Sequence, residues 1–171
     1  MVSFFEYPPH SAISFSLLID SPGVASKRPF FGSHCVRTRS YRFEWRGEFD
    51  NVRLNQLHAE AFGHDLDEHD WVSQVRNHSL GWVCAFDDET LVGFVNVPWD
   101  GALHAFIVDT MVAPAVQRHG VGTELIRVAA AQARAAGCIW LHVDFEDALK
   151  RFYFDACGFV PTNAGLLSLR R

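Results

Sequence analysis

One stretch of the chain, Val112-Ala113-Pro114-Ala115-Val116-Gln117-Arg118-His119-Gly120-Val121-Gly122-Thr123, combines the residue types that cradle an anion. Glycines at 120 and 122 let the backbone approach a ligand. The N–H groups of a helix starting there point outward with the positive end of its dipole. Arg118 and His119 add charge and hydrogen-bond donors. Such a turn suits a pyrophosphate, although two glycines before a helix also serve as a plain tight connection. The Lys-Ser/Thr of a phosphate-binding P-loop is missing, and so is the third glycine of the dinucleotide fingerprint.

Other reactive side chains form weaker patterns. Cys35, Cys84, Cys138 and Cys157 show no C-x-x-C pairing, so neither a zinc site nor a disulfide framework is expected, and buried reduced thiols are. His64 and His69 lack metal-ligand spacing, and no metal is expected. There is no nucleophile elbow and no Cys–His partnership, which argues against a covalent enzyme intermediate.

The elements that must hold the anion-binding turn are legible as periods. Tyr41, Phe43 and Trp45 alternate with Arg42, Glu44 and Arg46, the pattern of a strand with one buried face. Asp50 or Asn51 caps a helix with Leu54, Leu57, His58, Ala61 and Phe62 on one side, ended by Gly63. A second helix is predicted from about Asp67 to Asn77. Gly81–Phe86 and Leu91–Val97 flank Asp87-Asp88-Glu89-Thr90 as a hairpin. Ala102–Val112 reads as a central strand. After the glycine turn comes a long alanine-rich helix closed by Gly137. Strand Ile139–Val143, helix Glu146–Ala156 and short strands around Phe159 and Leu166–Leu169 complete the order β-α-α-β-β-β-α-β-α-β-β. This is an α/β fold with a mixed layer rather than a doubly wound sheet.

With 171 residues, 49% of them apolar and 20% charged, the chain makes one domain, or one domain with an appendage, around a sizeable core. Residues 1–40 are rich in Ser, Pro and Phe without a period. They predict a poorly ordered extension, or a clip packed on the domain spanning 41–171. No apolar run approaches the ~20 residues that cross a bilayer, and the N-terminus lacks a secretory pattern, so a cytoplasmic protein without membrane contact is expected. The formal charge is −5, of which residues 1–40 carry +2 and the rest −7. An acidic body repels phosphate backbones, which excludes general nucleic-acid binding and is compatible with a cationic substrate.

Val-x-Pro-x-x-Gln-x-x-Gly-x-Gly before a leucine-bearing helix resembles the acetyl-CoA-binding motif of the GNAT superfamily of N-acetyltransferases. Phe152-Tyr153-Phe154-Asp155-Ala156-Cys157-Gly158-Phe159 resembles its second motif, and Leu91-Val92-Gly93-Phe94-Val95 its preceding strand pair. The resemblance runs from about Tyr41 to Leu169. It implies a mixed, mostly antiparallel sheet splayed between strands 4 and 5, with helices on both faces. It also implies that acetyl-CoA is the acyl donor. The pantetheine arm would pair with backbone groups of Thr110, Met111 and Val112, and the pyrophosphate would sit on amides of Arg118, His119, Gly120, Val121, Gly122 and Thr123, with Gln117 in the same motif. An amide near Val112 would stabilise the thioester oxyanion.

Acyl transfer to an amine needs that amine neutral. At pH 7 a lysine-like amine, pKa ~10.4, lies ~3.4 units from that state, a cost of about 4.6 kcal/mol. Asp109, three residues before Val112, is the first candidate base. Some diamine and aminoglycoside-type members of the family carry Asp in a Glu-Asp-x-x-Val run, and here Val108 replaces the glutamate. Its alternative roles are binding a cationic acceptor or fixing a loop. His142 shares a strand face with Asp144, either as a His–carboxylate base or as a satisfied histidine; His104 is the weaker candidate. The family's acid is a tyrosine four residues before the second motif's glycine, a position held here by Phe154. Tyr153 is one residue earlier, and a one-residue shift turns a helical side chain by about 100°. Either the helix is locally over- or underwound so that Tyr153 points in, or the acid is missing. The acidic link His64–Trp71 borders the acceptor entrance in the family, and its carboxylates either attract an amine or cap the second helix.

The reading is therefore an N-acetyltransferase acting by direct attack of a small-molecule or protein amine, as a monomer or homodimer. Its alternative is a non-catalytic acyl-CoA sensor or interaction module of the same fold.

Overall fold

The computed structural model describes residues 40–169; the extension expected over residues 1–40 lies, but for Ser40, outside the described residues. Strand β1 (Tyr41–Trp45) leads into helices α1 (Asn51–Phe62) and α2 (Trp71–His78). Strands β2 (Ser79–Asp87), β3 (Thr90–Pro98) and β4 (His104–Val112) follow, then α3 (Val121–Ala135) and β5 (Trp140–Val143). The strands form one sheet in the order β1-β2-β3-β4-β5, antiparallel except for the parallel pair β4–β5. This is the mixed, mostly antiparallel sheet that the resemblance implies.

Local chemistry explains the element ends. The Asp50 carboxylate accepts the Arg53 N–H at 2.9 Å to start α1, and Gly63, left-handed at φ 70°, ends it. Helix α2 begins at Trp71, four residues later than the Asp67 start predicted. Buried Asn55 takes both backbone groups of His69, donating to its carbonyl at 2.9 Å and accepting its N–H at 3.2 Å. That exchange holds the link extended until Asp70 caps α2 by accepting the Ser73 N–H at 3.1 Å. The two hydrogen bonds from Ser73 and a third from Asn51 hold the Asp70 carboxyl down at about 2.

The central strand β3 is buried on both sides. A Cβ on Gly93 would stand 3.1 Å from both Leu125 and Val121 of α3, whereas the Phe94 ring meets Trp71 of α2 and Phe49 edge-on at 6.4 and 5.4 Å. Helices thus lie on both faces. Leu54 and Leu57 from α1, Val83, Phe94, Val95 and Val97 from the sheet, and Leu125 and Ala129 from α3 are fully buried. Each of the larger side chains contributes roughly 1.5–3 kcal/mol by leaving water.

Strands β4 and β5 pair only over His104–Ile107 and Trp140–Val143. Beyond Ile107, β4 runs on to Val112 with no β5 residue beside it, and this is the splay. A bulge shapes it: Phe94 faces Met111 and Asn96 faces Val108, so β4 has one residue more than β3 there, and Asp109 takes φ 53°.

The C-terminal part departs from expectation. In place of one helix over Glu146–Ala156 there is a 3₁₀ turn, Asp147–Leu149, and then a π-helical turn, Arg151–Ala156, closed by the Cys157 N–H on the Phe152 carbonyl at 3.0 Å. The strands predicted around Phe159 and Leu166–Leu169 do not form. Leu166, Leu167 and Leu169 are each more than four-fifths exposed. Alternation makes a strand only where a neighbouring edge takes up the N–H and C=O groups, and Pro161 has no N–H to give. No helix among the described residues is long and apolar enough to cross a membrane.

Candidate active site

The turn between β4 and α3 is shaped by backbone. Pro114–Val116 forms one 3₁₀ turn, pinned by buried Ala113 and Val116. Gln117 donates from Nε2 to the Val112 carbonyl at 3.1 Å, tying the loop to the strand end. Arg118 (φ 62°) and Gly120 (φ 83°) are both left-handed, so the chain reverses twice before α3 starts at Val121. No side chain caps α3. The N–H groups of its first turn, at Val121, Gly122 and Thr123, are therefore available to an anion, and Gln117, Arg118, His119 and Gly120 are exposed beside them. The only carboxylate in that first turn, Glu124, is taken by Arg127 at 2.6 and 2.7 Å, which offsets its charge.

The two glycines serve different needs. A Cβ on Gly120 would meet open space, so that residue is there for its left-handed φ. A Cβ on Gly122 would come within 3.2 Å of the Phe152 ring, so that residue admits the aromatic end of the π turn. Thr110, Met111 and Val112 lie on the part of β4 beyond the β5 pairing, with their strand edge toward the split.

Tyr153 belongs to the π turn. Its ring is buried, stacked on Phe145 at 4.6 Å and edge-on to Phe152 and Phe159. Its hydroxyl donates to Thr110 Oγ1 at 3.3 Å. The i→i+5 bond accommodates one residue more than an α-helical turn. Of the two arrangements open from the sequence, the underwound one is present, and Tyr153 rather than Phe154 faces β4. Burial raises its hydroxyl pKa, opposed by the Thr110 bond, so the phenol is protonated at neutral pH.

Asp109 sits on the bulge, half-buried on the side of β4 that faces α1. Burial pushes its carboxyl up, while the adjacent Asn96 amide and the His58 and His69 imidazoles pull it down. Asn96 is itself 1% exposed, and its Oδ1 accepts the Ser79 hydroxyl at 2.5 Å. That bond orients the amide and leaves Nδ2 buried without a geometrically formed hydrogen bond.

His142 does not pair with Asp144. It stacks on Phe106 (4.9 Å) and His104 (5.1 Å), and its Nε2 lies 2.8 Å from His104 Nδ1. Strand β5 ends at Val143, one residue before Asp144, and the paired strand β4 supplies the partner instead. Burial and the His104 imidazole lower its pKa. In the acidic link, Asp70 is spent on capping and Asp67 accepts the Glu68 N–H at 2.8 Å. Both line a cavity of about 330 Å³ with Asn51, Leu66 and His69.

Sequence reasoning missed Asn96, the Thr110 hydroxyl and the surroundings of His58. Asn96 carried one signal, a lone amide in the apolar run Leu91–Val97. No group of three or more His, Cys, Asp or Glu among the described residues is arranged to hold a metal.

The parallel pair β4–β5 opens just before the uncapped start of α3, the arrangement that the resemblance implies. Residues 40–159 match the model of the family described as Acetyltransferase (GNAT) family. The chain belongs to that family. A mycothiol acetyltransferase of Brachybacterium faecium is 44% identical over 83 residues, which are 48% of this chain and 22% of that protein. The match thus spans about a fifth of that relative. A GNAT-family acetyltransferase structure from Streptococcus pneumoniae superposes with TM-score 0.63 at 20% identity, covering 77% of this chain and 99% of the other. The apo aminoglycoside 6′-N-acetyltransferase of Acinetobacter haemolyticus gives 0.60 at 18%, covering 76% and 98%. An aminoglycoside acetyltransferase in complex with a CoA-linked bisubstrate analogue gives 0.59 at 17%, covering 77% and 99%.

Proposed function

We propose that the protein is an acetyl-CoA-dependent N-acetyltransferase in which a small-molecule amine attacks the thioester directly. The observation that carries this reading is the β4–β5 pairing that stops at Ile107, with Asp109 and Thr110–Val112 on the freed strand and the uncapped α3 behind them. The donor fits these residues: the two left-handed positions and the open space at Gly120 leave room for a pyrophosphate on the first-turn amides. The acyl donor supplies the activated carbonyl; the remaining work falls to the chain.

Asp109 takes the proton from the acceptor ammonium. A carboxyl raised by burial is a better match to that task than an ordinary one, because proton transfer is most efficient near the operating pH. The free strand edge at Thr110–Val112 holds the pantetheine arm, and an amide near Val112 faces the developing oxyanion. Tyr153, protonated at neutral pH, gives its proton to the leaving thiolate by turning its O–H from Thr110 Oγ1 to the sulfur. His142, engaged with His104 and stacked on Phe106, contributes to acceptor binding.

The acidic body favours a cationic acceptor, and the names of the relatives point to small polar amines. Calorimetric titration of the full chain with acetyl-CoA, followed by a CoA-release screen over aminoglycosides, amino sugars and diamines, tests the reading. Saturable binding and turnover with at least one amine are expected. Binding without any turnover would favour the sensor reading, and a folded chain that binds neither acetyl-CoA nor CoA would overturn both.

A further inference from the structure

We propose that His58 receives the proton that Asp109 takes from the acceptor, and that His64 is the positioning residue holding His58 in the tautomer able to do so. The inference rests on the acetyltransfer reading above.

Its basis is a chain of hydrogen bonds with one self-consistent neutral protonation. The Asp65 carbonyl oxygen, which can only accept, lies 2.6 Å from His64 Nδ1, so that nitrogen carries the hydrogen. Neutral His64 then presents a lone pair at Nε2, 2.7 Å from His58 Nδ1, and His58 must be the donor of that bond. The lone pair of neutral His58 is therefore at Nε2. No described residue forms a hydrogen bond to it. This polarity has a local cause. Gly63 closes α1 with a left-handed cap, its N–H on the Ala59 carbonyl at 2.9 Å. In such caps the residue after the glycine folds back on the last helical turn, and the contact is commonly apolar. Here it is a pair of imidazoles.

The His58 ring packs at 4.7 Å from Phe62 and 5.1 Å from Trp71, and is half-buried. The charged and titratable groups facing it are Asp109 from β4 and His64, His69 and Asp67 from the link between α1 and α2. Burial and the two imidazoles outweigh the two carboxylates and lower its pKa, so the ring is neutral and receptive at neutral pH. In the step, the O–H bond of protonated Asp109 breaks and its proton joins the Nε2 lone pair by way of intervening water, since no hydrogen bond joins the two side chains directly. The carboxylate is restored and His58 becomes an imidazolium that still donates from Nδ1 to His64. Loss of the Nε2 proton to water completes the cycle, and no electrons change hands.

Two measurements on the full chain test this. Long-range ¹H–¹⁵N imidazole spectra, with the His58 signals assigned by His58→Gln, are expected to show Nδ1–H at His58, reverting toward Nε2–H in His64→Leu. Nε2–H at His58 in the unaltered chain overturns the proposal. With an amine identified by CoA release, His58→Gln should lower kcat/KM at least tenfold at pH 7 with KM for acetyl-CoA unchanged. The deficit should shrink as pH rises toward the amine's own pKa and be relieved by added imidazole. A loss uniform across pH and untouched by imidazole is what a packing role produces, and it too overturns the proposal. A chain that acetylates no amine defeats the functional reading instead, whereas an active chain with the wrong His58 tautomer defeats this proposal alone.

Discussion

On one side of the β4–β5 split, the segment Val112–Thr123 presents backbone: two left-handed residues, an uncapped helix start and a single side-chain tie from Gln117. On the other side, toward α1, side chains come together from four places: Asp109 on β4, buried Asn96 on β3, His58 on α1, and His64 and His69 on the link. Backbone recognition depends on φ and on spacing along one stretch of chain, so it tolerates changes in most side chains. A constellation of side chains depends on packing, and each member shifts the protonation of the next. The donor side should therefore fail by steric obstruction and the acceptor side by altered proton affinity.

The largest effect should come from Gly120→Trp. At φ 83° any side chain is strained by about 1–2 kcal/mol, and the indole would occupy the space open beside the first-turn amides. Acetyl-CoA binding measured by calorimetry should fall at least a hundredfold while the thermal transition remains cooperative. Retained binding would show that the amides of α3 are not the pyrophosphate site.

Asp109→Asn should leave acetyl-CoA affinity unchanged and lower kcat/KM by about 10²–10⁴-fold, the usual range for losing a positioned base. Its stability should move the other way. A carboxyl whose folded pKa is raised contributes stability below its unfolded pKa and loses it as pH rises through the folded one. At neutral pH the ionised group is thus a cost that asparagine removes. The melting temperature should rise at pH 7, with the advantage vanishing in acid. A lower melting temperature together with full activity would make Asp109 a structural carboxylate.

The smallest effect is expected for Tyr153→Phe. A thiolate is a tolerable leaving group, so loss of the acid should cost about tenfold in kcat. The basic limb of the pH–rate profile should shift or disappear. Because the ring remains stacked on Phe145, the fold should lose only about 1 kcal/mol with the bond to Thr110. An unchanged pH profile would assign Tyr153 to packing.

The same contrast governs what could be read in advance. The caps at Asp50 and Gly63, the hairpin around Asp88 and the start of α3 were legible because each is dictated within a few residues. The second helix began late because Asn55, fourteen residues upstream of His69, holds the link. The C-terminal strands failed because a short apolar stretch says nothing about whether an edge is available. The Tyr153 question was legible as a question, one residue out of register, but its answer required the π turn.

By itself the sequence determined the mixed α/β class, the family and the glycine turn before α3, since glycine placement, capping residues and period act through nearest neighbours along the chain. Only the tertiary structure decided that Tyr153 meets Thr110, that His142 turns to His104 rather than Asp144, and that Asp109 lies beside Asn96 and the His58 pair. Those outcomes depend on a bulge, a widened helical turn and a folded-back cap. Each is a small change of backbone path that redirects a side chain toward partners distant in sequence.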